Sequence, residues 1–175
     1  MFQKGVTIIR GEEQDGYPFL NDIPPVITVI SVAVNKKPQS IVNAITGKRT
    51  YRGSDKLDMM LRIRLVLHAI IDSGCTAAVL SALGCGLQGH PPEEVALLFK
   101  KEIYRVGSKL PFIYFAVLGD INQDPNSSGN YEVFKRILER PQEAEANWRS
   151  AKEVYENAVV DQTNLDFPRI EVQLG

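Results

Sequence analysis

Val79-Leu80-Ser81-Ala82-Leu83-Gly84-Cys85-Gly86-Leu87-Gln88-Gly89-His90-Pro91-Pro92-Glu93-Glu94-Val95-Ala96 carries most of the information in this chain of 175 residues. Residues 77–83 are small and apolar and predict a buried strand. Three glycines within six residues then break the regular backbone. A helix is expected from Pro92 to Val106, because proline suits the first helical position, where the missing N–H costs nothing. Glu93 and Glu94 complement the positive end of its dipole, and Gly107 is placed to close it. The unit is strand, glycine turn, helix.

Glycine lets a ligand approach the main chain, and unpaired N–H groups beside a helix N-terminus form an anion cradle. The ligand expected there is a phosphate or diphosphate at the carboxyl ends of the strands. Spacing alone leaves a second reading open, a tight turn whose glycines serve packing. No Gly-Lys-Ser/Thr follows, so the loop is not a P-loop.

The flanking sequence repeats the alternation of strand and helix. Residues 6–10 predict a short strand, and residues 26–34 form a near-continuous β-branched run typical of strands buried on both faces. Residues 36–53 are polar and predict a loop. A helix is expected after Ser54 as N-cap, with Asp55 and Asp58 in its first turns. Met60, Ile63, Leu67, Ile70 and Ile71 are its apolar stripe, His68 is read as a packed core histidine, and Gly74 ends it. The second helix has the stripe Val95, Leu98, Phe99, Ile103 and Val106. Residues 112–118 predict a third core strand and residues 130–140 a helix through Val133, Phe134, Ile137 and Leu138. Beyond Pro141, Trp148, Ala151, Tyr155 and Ala158 share one side of a last helical stretch, and the final dozen residues are expected to be extended or loose. The pattern predicts an α/β fold with a mixed, largely parallel sheet: residues 1–140 as core, residues 141–175 as helical segment and tail.

Composition bounds the rest. With 44% hydrophobic and 23% charged residues, the chain reads as one globular domain. A chain of this length buries roughly two-thirds of its unfolded surface. A net charge of -1 gives no general reason for a nucleic-acid partner. Cys75 and Cys85 form no disulfide framework, no Cys/His set has metal-ligand spacing, and no cofactor is expected. The absence of a signal-like start and of a long apolar span predicts an intracellular protein, cytoplasmic or nuclear, without a membrane partner. Lys36, Lys37, Lys48, Arg49 and Arg52, with Tyr51 among them, read either as a solvated loop or as a contact for the phosphates of a polymer.

Residues 81–96 resemble the diphosphate-loop signature of microbial-type poly(ADP-ribose) glycohydrolases and are similar, more loosely, to the glycine loop of macrodomains. Residues 5–10, 27–35, 115–118 and 130–134 resemble further pieces of that family in the family's order, so the likeness covers residues 5–139. It implies a three-layer α/β/α macrodomain-like fold, incomplete here, because the family's first half is not recognisable. It further implies that the backbone of Gly84, Cys85, Gly86, Leu87, Gln88 and Gly89 holds the diphosphate of ADP-ribose. Asn35 and His90 would border the same cleft, and Leu118, Gly119 and Asp120 would lie on the adenosine side. Gln88 stands where the family carries an aromatic residue against the terminal ribose, offering hydrogen bonds in place of a ring face.

The family's catalytic acid comes from Gly-Gly-Gly followed by Gln-Glu-Glu, and this chain contains no Gly-Gly pair. Gly11-Glu12-Glu13-Gln14 has the reverse order. The resemblance therefore implies recognition of ADP-ribose or an ADP-ribosylated protein, with glycosidic hydrolysis only if the other half exists or is supplied. The rival reading is a non-catalytic interaction module that has lost the ligand. The sheet edge would be covered by the C-terminal segment, by a second copy, or by another chain such as the missing half. A cysteine-dependent hydrolase built on Cys85 is a third option, with His90 as its only candidate base.

Overall fold

The computed structural model describes residues 1–20, 23–118 and 129–139, and the backbone of residues 169–172. The chain divides into two units, Met1–Ala33 and Val34–Gly175.

The first unit is an antiparallel pair, β1 (Phe2–Thr7) and β2 (Val26–Ile30), with an irregularity between Gln3 and Val6 where Gly5 takes φ 71°. The β-branched run at residues 26–34 was expected to be buried on both faces. It is not: the strand ends at Ile30, and Val26 and Ile27 are exposed. Pairing with one neighbour satisfies one row of backbone groups but covers neither face, so β-branching alone did not secure burial.

The second unit holds the core. Residues 36–53, read as loop, contain a short hairpin of β3 (Ser40–Val42) and β4 (Arg49–Tyr51). Its turn is built by Asn43, whose side-chain oxygen accepts from the N–H of Ile45 and of Thr46, both at 2.9 Å. Helix α1 (Asp55–Asp72) follows Ser54, which makes no side-chain cap, and Gly74 takes φ 80° just past the helix. Strand β5 (Ala77–Leu80) leads into the glycine loop and then α2 (Pro92–Val106), with Pro92 at its first turn and Gly107 at φ 57°. Strand β6 (Phe112–Ala116) pairs parallel with β5, and β7 (Arg169–Val172) pairs antiparallel with β6. Helix α3 (Asn130–Leu138) completes the described elements.

The fold is α/β, with a mixed sheet in the order β5-β6-β7 and parallel pairing at β5–β6 alone among the described residues. Helix α2 packs against both α1 and α3. Every residue of its expected stripe is buried, and Phe99 meets Phe115 edge-on at 5.0 Å between ring centroids. Phe134 joins them at 6.3 and 5.7 Å. On α1 the buried face is Met59, Ile63, Val66, Leu67 and Ile70. His68 is exposed, not packed in the core. At about 100° per residue it lies half a helical turn away from Met59. The helical stretch expected around Trp148 lies outside the described residues.

Candidate functional site

Because β5 and β6 run parallel, the segments that leave their carboxyl ends emerge at the same edge of the sheet. The glycine loop leaves β5 there, and Val117-Leu118 leaves β6. Leu118 is 73% exposed. Gly119 and Asp120 lie outside the described residues.

Within the loop, some amides close the turn on itself. Leu83 N donates to Ser81 O (2.8 Å), Cys85 N to Ala82 O (3.0 Å), Gly89 N to Gly86 O (2.9 Å) and His90 N to Gly84 O (3.0 Å). Two carbonyls are taken from outside, Gln88 O by Lys37 N (2.7 Å) and Gly89 O by Arg49 Nη2 (2.8 Å). The N–H groups of Gly84, Gly86, Leu87 and Gln88 find no acceptor among the described residues. The carbonyls of Gly84, Gly86, Gln88 and Gly89 are thus taken within the chain, while a run of the loop's nitrogens is left for another acceptor.

The three glycines play different parts. Gly84 takes φ 74°, and a Cβ there would come within 2.7 Å of the His90 ring and 3.0 Å of Val34. Gly89 takes the same φ with open space around it. Gly86 has neither a positive φ nor any atom within 4 Å of a Cβ. Folding gives no reason for glycine at that position. The glycines do fall at the Gly-x-Gly-x-x-Gly spacing of dinucleotide loops. There, however, the last glycine permits close helix–strand packing. Here Gly89 packs against nothing and the helix begins three residues later at Pro92.

His90 is 3% exposed and bolts the loop to its surroundings. Its Nε2 lies 2.7 Å from Asn35 O and its Nδ1 2.7 Å from Tyr51 Oη. A carbonyl oxygen only accepts, so in the neutral ring Nε2 carries the proton and Nδ1 accepts from the tyrosine hydroxyl. Burial, then the nearby Cys85, Glu94 and Asp55, push the Tyr51 hydroxyl pKa well up, and Arg49 only partly opposes them. Tyr51 therefore keeps the proton that it donates. With both nitrogens engaged, His90 holds the loop's shape and is not placed to deprotonate the buried Cys85, whose thiol lies 3.7 Å from Leu83 O.

Asn35, the residue that follows the β-branched run, reaches this region although it sits five residues beyond the end of β2. Its carbonyl holds His90, and its side-chain amide donates to Asp58 (3.2 Å), which Arg62 also binds (2.8 Å). The acidic pair at the start of α2 is engaged by cations. Glu93 meets Lys48 (3.3 Å) and Arg136, and Glu94 lies 2.7 Å from Lys56 as an ion pair without hydrogen-bond alignment. Among the described residues no cluster of three or more His, Cys, Asp or Glu side chains could hold a metal ion.

Sequence reading brought out Asn35, residues 84–89 and His90, and the structure brings these together. It missed the roles of Arg49, Tyr51 and Lys37, which had been grouped only as a basic stretch. No periodicity links residue 49 to residue 89, so nothing in the sequence signalled that contact.

Comparison with protein-family models, with curated proteins and with solved structures found no match in any of the three.

Proposed function

We propose that this chain recognises ADP-ribose, or a related nucleotide diphosphate, through the main-chain amides of Gly84, Gly86, Leu87 and Gln88, on a macrodomain-like three-layer fold. Gly86 carries the reading. A glycine that neither the backbone angle nor packing requires, beside N–H groups without acceptors, is what close approach of a diphosphate needs. The common edge from which the loop and Leu118 emerge suits a ligand whose nucleoside end lies beyond β6. Gln88 serves as a hydrogen-bonding partner for the ribose. Glycosidic cleavage would require a carboxylic acid in addition to these residues, so the site they form binds without turnover.

Calorimetry with ADP-ribose tests this. Dissociation constants on the order of micromolar, about -8 kcal/mol, are expected for the folded chain. A folded chain that takes up no ADP-ribose at millimolar concentration contradicts the reading.

A second reading, an interaction module without a ligand, is favoured by one observation. Leu57, Leu61 and Leu65 are all exposed at four-residue spacing on one face of α1.

A further inference from the structure

The glycine loop does not hold its shape alone; a hairpin some forty residues away adds two fasteners to the bonds within the turn. A peptide group is planar, so fixing its carbonyl oxygen fixes the direction of the N–H on the other side of the same bond. Peptides 84–85, 88–89 and 89–90 are each fixed at the oxygen, by His90 N, Lys37 N and Arg49 Nη2. Between them lies the arc whose Gly86, Leu87 and Gln88 N–H groups lack acceptors among the described residues. The Leu87 N–H lies opposite Gly86 O, which is bonded to Gly89 N, so it points away from the closed side of the turn. The arc is pinned at both ends.

Two of the outer fasteners come from β4. Arg49 Nη2 bridges Gly89 O (2.8 Å) and Ser40 Oγ (3.1 Å), tying loop and hairpin together. Tyr51 Oη (2.7 Å) holds the imidazole of His90, against which Gly84 packs without room for a Cβ. The hairpin itself sits on α2, the helix that the loop precedes.

We propose that Arg49 and Tyr51 are positioning residues: acting through Gly89 and His90, they aim the loop's amides at the anion without touching it. This rests on the reading that the loop receives a diphosphate, and it adds the element on which that capacity depends.

The test uses the full chain, with inorganic pyrophosphate and ADP as probes, and the variants Arg49→Met, Arg49→Lys and Tyr51→Phe. Arg49 is exposed and Tyr51→Phe removes a single oxygen, so all three are expected to remain folded. Affinity for both probes is expected to fall about tenfold in Arg49→Met and Tyr51→Phe, the scale of one lost hydrogen bond that leaves its partner unsatisfied. In the same two variants the amide resonances of Gly86, Leu87 and Gln88 should move before any probe is added, while those of α3 stay in place. Arg49→Lys, which keeps a donor for Gly89 O, should recover most of the affinity. If the parent chain binds and both deleterious variants bind equally well, the positioning role is overturned and the diphosphate reading stands. If the parent chain binds neither probe, the diphosphate reading fails and the positioning role with it.

Discussion

At the residue scale, Gly84 and Gly86 separate folding from function. The left-handed backbone at Gly84 costs a substituted residue about 1–2 kcal/mol, before any contact is counted. A Cβ at 2.7 Å from the His90 ring adds to that. Gly84→Ala is expected to lower the thermal midpoint by several degrees and to disturb the Tyr51–His90 contact. Gly86→Ala should change stability by no more than about 0.5 kcal/mol, as at an unconstrained surface position. Its affinity for ADP-ribose should nonetheless fall at least about tenfold, because the methyl group stands where the ligand approaches the main chain. Calorimetry and thermal melts on both variants check this; a Gly86→Ala protein that binds normally removes the special role of that position. The three glycines were plain in the sequence. Their unequal roles were not, because only the surrounding atoms tell a strained, packed glycine from an open one.

At the scale of elements, α1 and α2 are joined by an ion pair whose carboxylate is buried and whose guanidinium is half-buried. Glu102 is 1% exposed and accepts two hydrogen bonds from Arg64, at 2.8 and 3.1 Å. The Arg64 side chain holds the Glu102 carboxyl below the usual carboxylate range, outweighing the opposite effect of burial. A carboxyl whose folded pKa is depressed stabilises the fold above its unfolded value, about 4.3. That contribution is lost as pH falls through the folded value. The thermal midpoint should therefore drop on acidification below about pH 4.3. Glu102→Gln should start lower at neutral pH and lose less over the same range. Parallel curves for the two proteins would contradict a coupled pair. Helix α2 was legible almost to the residue, from Pro92, its apolar stripe and Gly107. The hairpin of β3 and β4 was not, since strands of three residues carry too little alternation to read. The burial of residues 26–34 was misread because β-branching reports fitness for a sheet, not how many neighbours the sheet supplies.

At the scale of the molecule, the second unit is organised round Phe99, Phe115 and Phe134, which come from a helix, a strand and a further helix. Phe134→Ala should cost about 3–5 kcal/mol. Against a typical domain stability of roughly 5–15 kcal/mol, that leaves a marginal protein, measurable by urea titration. The exposed row Leu57, Leu61 and Leu65 makes the opposite prediction. Leu61→Glu should alter stability by less than about 0.5 kcal/mol. Sedimentation will show whether it also reduces self-association, the outcome expected if that face serves an interaction. None of the described helices is long and apolar enough to cross a membrane. The alternation of strand and helix was readable from hydrophobic runs and gave the α/β class. It did not give the separation of β1–β2 from the β5-β6-β7 sheet, because strand pairing depends on partners distant in sequence.

A backbone amide titration with ADP-ribose, followed residue by residue in an isotope-labelled chain, bears most directly on the diphosphate loop. The N–H resonances of Gly84, Gly86, Leu87 and Gln88 should shift together and saturate with one affinity, while those of Leu83 and Cys85, already bonded within the turn, shift least. A well-dispersed spectrum in which those four resonances stay fixed to millimolar ADP-ribose would contradict it.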